Sequence, residues 1–252
     1  MILILQKKPC TINFNDPFDF NTDFIIVDRT QENIKATFDL LRKRFADDEN
    51  GIVGKEYFDK TYLTNGVPNK GFENYFIDDG NKGIKDYYKD FGVLCFSEIN
   101  NDILMWSHYS DGHKGFCLKF DTSYAPFRYH DTTLDAISIC VDYKKFFPEL
   151  SLKEINEQNG YVQTLFPFAQ RKWENWGYEK EWRILSTRGD LTYAYDQSAL
   201  CAIYLGCKTS VEDEMTIKEI IGRYPIREDG SKKIIYNMRL SKTEYKVFPE
   251  EI

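Results

Sequence analysis

Leu104-Met-Trp-Ser-His-Tyr-Ser-Asp-Gly-His-Lys-Gly-Phe-Cys-Leu-Lys-Phe-Asp121 changes texture halfway along, and that change decides how the chain is read. The second half, Gly115–Asp121, has the apolar texture of a β-strand. The first half is rich in rings and histidine, and Asp111-Gly112 marks a tight turn. Upstream, Phe91–Ile99 reads as a neighbouring strand, so Asn100–Lys114 is a link too long for a tight hairpin. Ser138–Lys145, Glu181–Ser186 and Ala199–Leu205 read as further strands, with a last one at about Met238–Val247 and a short apolar strand or helix edge at Ile2–Leu5. Helices are expected over Gln31–Ala46, where Ile34, Phe38, Leu41 and Phe45 make one stripe, over Leu152–Phe168, and from Ser210 or Thr209 to about Gly222. Together these predict an α+β fold, a central, mostly antiparallel sheet with packed helices, as a single domain over residues 1–252. The polar stretch within 47–90, rich in Gly and Asn, is expected as short helices and a long loop forming an insertion or lid.

The 252 residues include 17 Tyr and 19 Phe, enough for a large core without staples. A net charge of −7 argues against extended nucleic-acid binding. Arg42-Lys43-Arg44 and Lys144-Lys145 read as solvated faces or loops, a local basic groove being the alternative. No two of the six cysteines (Cys10, Cys95, Cys117, Cys140, Cys201, Cys207) are spaced as CxxC. Four of them lie in apolar, strand-like runs, so no disulfide and a reducing cytoplasm are expected. No stretch approaches the length of a membrane span. His108, His113 and His130 do not pair with any Cys at zinc spacing, so no metal is expected.

Candidate site residues fall in two segments. In the first, Trp106, Ser107, His108 and Tyr109 put a ring, a hydroxyl, an imidazole and a phenol side by side, with His113 and Lys114 beyond the turn. His108 and His113 would face one pocket from either side of it. The plainer reading makes Trp106 and Tyr109 core and gives a histidine the task of bracing the turn. In the second, Lys172-Trp-Glu-Asn-Trp-Gly-Tyr-Glu-Lys-Glu-Trp-Arg-Ile-Leu185, Glu179 and Glu181 are two apart. At a strand start they would share a face, and two carboxylates on one face suit acid–base or cation-stabilising work. The alternative is structural, with Arg183 bridging to Asp121 or Asp142 and the tryptophans as core.

Asn13-Phe-Asn-Asp-Pro-Phe-Asp19, Cys95-Phe-Ser97, Trp106-Ser-His-Tyr109 with Gly112-His-Lys-Gly115, and Tyr178-Glu-Lys-Glu-Trp-Arg183 together resemble a large bacterial family catalogued as domain of unknown function 2971. The resemblance runs in order through about residues 13–206 and adds Asn15 and Asp16 to the candidate binding residues. Members of that family usually open with a Tyr-rich strand, which this chain is expected to lack. The Glu-x-Glu, after a strand ending in an aromatic-Ser pair, is also similar to the layout of ADP-ribosyltransferases. That resemblance implies that Glu181, supported by Ser97, stabilises a ribose oxocarbenium ion as nicotinamide leaves.

Three functions are therefore expected in competition. The first is an intracellular effector or enzyme of the toxin or phage-defence kind, acting on a nucleotide such as NAD or on a nucleic-acid end. The second is a non-enzymatic module whose Trp/His/Tyr pocket binds a ligand or partner protein, Arg183 gripping an anionic group. The third is a metal-dependent hydrolase using His108, His113 and Asp111 or Asp121.

Overall fold

The computed structural model describes residues 2–3, 16–24, 26–47, 54–78, 82–83, 85–86, 88, 91–124, 136–151, 167–186, 189 and 194–252. Asn15, Cys10, His130 and most of the helix expected at 152–168 lie outside them. Where the sequence reads as one domain, the chain clusters into two compact units. One holds Phe14–Lys89 and Lys144–Lys172; the other holds Met1–Asn13, Asp90–Tyr143 and Trp173–Ile252.

The Phe14–Lys89 unit is built on rings. Helix α1, Gln31–Asp47, starts where Thr30 Oγ1 accepts from the Asn33 amide, and it buries Ile34 and Phe38. Within the stretch expected as an insertion or lid, Phe58, Phe72 and Ile77 are buried in this unit's core. Helix α2, Lys55–Tyr62, buries Phe58, whose ring lies 5.1 Å from Phe38, and Phe72 lies 5.1 Å from Phe38 and 6.4 Å from Phe58. A second cluster joins Phe20, Tyr88 and Phe168 at 5.1–5.9 Å. Asp16 shapes the entry to it, its carboxylate accepting from the Phe18 amide in an Asx turn. Beyond that turn the buried Asp19 carboxylate meets Lys172 Nζ at 3.4 Å.

The other unit is an eight-stranded sheet. Its strands are β1 (Ile2–Leu3), β2 (Gly92–Ser97), β3 (Phe116–Phe120), β4 (Ala136–Cys140), β5 (Glu181–Ser186), β6 (Leu200–Leu205), β7 (Ile234–Leu240) and β8 (Val247–Glu251). They lie in the order β8-β7-β6-β3-β1-β2-β5-β4. Every pairing is antiparallel except β6 with β7. That parallel pair needs a crossover, and helix α4, Val211–Gly222, supplies it after a Ser210 cap on the Asp213 amide. The fold class expected from the sequence, α+β with a mostly antiparallel sheet, holds.

Three local readings are corrected. Phe91–Ile99 and Gly115–Asp121, expected as neighbours, are parted by Ile2–Leu3, which forms a strand between β2 and β3. The last strand is a hairpin of two, β7 and β8, because Ser241–Lys246 turns the chain back. The ring-rich link contains a helix, α3 (Ile103–Tyr109), begun by the Asp102 carboxylate on the amides of Leu104 and Met105.

Strand alternation sorts the sheet's faces. On one face Trp182 and Ile184 pack with Leu94 and Phe96, joined by Ile221 of α4. Glu181, Arg183 and Leu185 point the other way. On that second face Trp106 of α3 sits against Cys117, Ala202, Tyr204 and Met238.

Candidate functional site

The site grows from the place where β2 ends and β5 begins. Ser97 and Glu181 are paired across these strands, as are Cys95 and Arg183. Before β5 the chain makes a short 3-10 helix, Glu174–Glu179, and leaves it through Lys180 at φ +45°. A left-handed lysine is uncommon, because its Cβ crowds the backbone. The bend is held on both sides: the Glu98 amide donates to Lys180 O at 3.2 Å, and the buried Ser97 hydroxyl donates to Glu179 O at 2.7 Å.

This bend corrects the expected carboxylate pair. Glu179 ends the 3-10 helix and Glu181 starts the strand, so the two do not stand in register along one strand. Both are buried, at 3% and 4% exposure. Glu179 Oε1 accepts from the Tyr109 hydroxyl at 2.6 Å. Glu181 takes the fork of Arg183, Nε on Oε1 at 2.8 Å and Nη2 on Oε2 at 3.2 Å. The Arg183 side chain is fully buried. It pairs with its own strand neighbour, two residues away on the same face, while Asp121 takes Arg227 at 3.1 Å. With its fork on Glu181 and no exposed surface, Arg183 is not placed to grip an external anion.

Helix α3 divides the ring-rich motif between two destinations. Trp106 goes to the core, with its Nε1 donating to Asn100 O at 2.7 Å. His108 and Tyr109 point elsewhere. The exposed His108 ring lies 6.0 Å from Trp176, and Trp176 lies 5.9 Å from Tyr178. Tyr109 reaches inward from this rim to Glu179. Trp106 is thus not beneath His108: positions two apart on a helix face away from each other.

His113 serves the turn. Asp111, Gly112 and His113 all have positive φ, from 48° to 72°. Its Nε2 lies 3.3 Å from Ser107 Oγ, its Nδ1 is buried with no hydrogen-bond partner among the described residues, and its carbonyl accepts from the Lys208 amide. Gly206 donates to Gly115 O, and Thr209 Oγ1 donates to Lys114 O. A Cβ on Gly206 would lie 2.0 Å from His113 O. The Gly-His-Lys-Gly tail is accordingly a dock for the turn after β6. Burial, and secondarily Lys208, hold the His113 imidazole below its ordinary range. The exposed Lys114 pairs with Asp111 at 3.7 Å.

Sequence reading missed Tyr143, whose hydroxyl accepts from the Glu181 amide at 2.8 Å, and Trp176 as a rim residue. It also missed the pairing of Asp19 with Lys172. Each depends on a partner distant in the chain, so no local spacing flags it. Among the described residues, no three of His, Cys, Asp and Glu cluster as ion ligands, no helix is long and apolar enough to cross a membrane, and Cys95, Cys117, Cys140, Cys201 and Cys207 are free thiols.

Residues 105–184 match the model of a family described as a protein of unknown function, DUF2971. The matched stretch runs from α3 into β5 and so contains Tyr109, Glu179, Glu181 and Arg183. No curated protein and no solved structure matches the chain.

Proposed function

We propose that this is a nucleotide-directed effector of the toxin or phage-defence kind, with its site on the rim formed by His108, Trp176 and Tyr178. The observation that carries the reading is the Tyr109–Glu179 hydrogen bond of 2.6 Å beside the exposed His108 and half-buried Trp176 rings. Rings at such a rim offer a planar base a stacking surface. A carboxylate buried at its inner end, hydrogen-bonded to a phenol, is suited to polarise or to move a proton on the ligand. Glu179 takes the acting role, standing with Tyr109 next to the rim, and Glu181, held by the fork of Arg183, a supporting one. NAD is the candidate ligand. The setting is the reducing cytoplasm, supported by the free thiols.

Glu181 engaged by Arg183 supports a second reading, a binding module without turnover. One experiment addresses both. The melting temperature is measured with NAD, ADP-ribose, AMP and nicotinamide, and NAD consumption is followed in parallel. A ligand at about a hundredfold its Kd stabilises the fold by about 2.7 kcal/mol. NAD is expected to raise the melting temperature of the wild type, Trp176→Ala to lose that rise, and Glu179→Gln to keep the rise while losing turnover. A rise without turnover in the wild type favours the binding module. No rise with any of the four compounds refutes the nucleotide reading.

A further inference from the structure

The Phe14–Lys89 unit carries an aromatic surface that the rim does not use. Phe24 and Phe147 are stacked, with ring centroids 5.0 Å apart and planes 4° from parallel. Phe18 lies 5.1 Å from Phe24 and 6.2 Å from Phe147, and is 53% exposed. Phe146 is next in the chain and 74% exposed, with Lys145 Nζ 5.5 Å from its ring centroid. The loop is anchored: Arg171 Nη1 donates to Phe146 O at 2.9 Å. Large rings held in the open, on an anchored loop with exposed Lys144 and Lys145, form a patch of a kind a soluble surface ordinarily avoids.

We infer that this patch binds a short single-stranded nucleic acid, with unpaired bases on the phenylalanine rings and the phosphodiester beside Lys145. Stacked rings extend naturally into a stack of bases, and a flanking ammonium meets the phosphate. The same geometry disfavours a lipid surface. An ammonium lying over the most protruding ring would have to be carried toward hydrocarbon as that ring inserted. The overall charge of −7 keeps the contact local, to a few nucleotides, and dependent on salt. Neither base identity nor the sugar is read, so DNA and RNA strands bind alike.

The test is fluorescence anisotropy of labelled oligo-thymidylate and oligo-uridylate of about twelve nucleotides at low salt, with the full chain. Both strands are expected to bind and the matching duplex to bind more weakly. Phe146→Ala is expected to weaken binding about tenfold. Lys145→Glu is expected to weaken it and to lower the salt slope by about one. Both side chains are exposed, and a melting curve for each variant confirms the fold. Flotation with phosphatidylserine vesicles runs alongside. No strand binding, equal binding by Phe146→Ala, or vesicle binding that depends on Phe146 without strand binding each overturns the inference.

Discussion

Glu181→Gln tests whether the centre of the site is held by its ion pair. In the wild type the Glu181 carboxylate meets two nitrogens of Arg183, and the two side chains are 4% and 0% exposed. Glutamine keeps the size and one acceptor oxygen, but it removes the charge and one of the two bonds. A hydrogen bond to a charged group contributes about 1.5–3 kcal/mol, and removing one partner of a buried pair costs about 3–5 kcal/mol. Because glutamine retains one acceptor, we expect about 2–3 kcal/mol. At about 2–4 °C per kcal/mol for a chain of this size, the melting temperature should fall by about 4–12 °C. All four tryptophans belong to the sheet unit, so urea unfolding followed by tryptophan fluorescence reports on the unit that holds the pair. A second variant, Glu181→Leu with Arg183→Met, removes both charges and should recover most of the loss, since apolar groups of similar volume replace a buried pair at little cost. If Glu181→Gln shifts the transition by less than about 0.5 kcal/mol, or the double variant is no better than the single, the pair is not what holds β5 at the site.

Two further outcomes follow from the turn between α3 and β3. Gly206→Ala places a Cβ 2.0 Å from His113 O and must push the two turns apart, whereas Gly112→Ala, at φ +60° with open space around it, costs only about 1–2 kcal/mol. Urea titrations should rank Gly206→Ala as clearly the more damaging, and the reverse order would contradict the docking of these turns. His113 gives a pH signature. Its folded value lies below its ordinary 6.5, chiefly through burial, so the unfolded chain binds more protons as the pH falls. The stability it contributes is complete above about pH 6.5 and is lost as the pH drops through the folded value. Melting temperatures from about pH 7 to about pH 5 should fall less steeply in His113→Asn, which tolerates the same backbone conformation. Identical slopes would show that His113 does not titrate with folding.

The sequence by itself determined whatever is encoded by neighbours along the chain. The apolar stripe of α1, the Ser210 cap of α4, the Asp111-Gly112 turn and the apolar runs of β2, β3, β5 and β6 were all legible, because periodicity, caps and turn residues act over a few positions. Tertiary structure alone decided where Ile2–Leu3 fits, because two residues carry no period and only the open edges of β2 and β3 fix them. It also decided the division of the Trp106–Tyr109 motif: the sheet beneath α3 takes Trp106, and the rim takes His108 and Tyr109. The carboxylates show the same limit. Spacing placed Glu179 and Glu181 on one face, but the left-handed bend at Lys180, pinned by Ser97 at the end of β2 and by Glu98 just after it, breaks that alternation. It brings Glu179 to Tyr109 and sets Glu181 beside Arg183, an arrangement that depends on register between strands more than 80 positions apart, which no local pattern of charges can express.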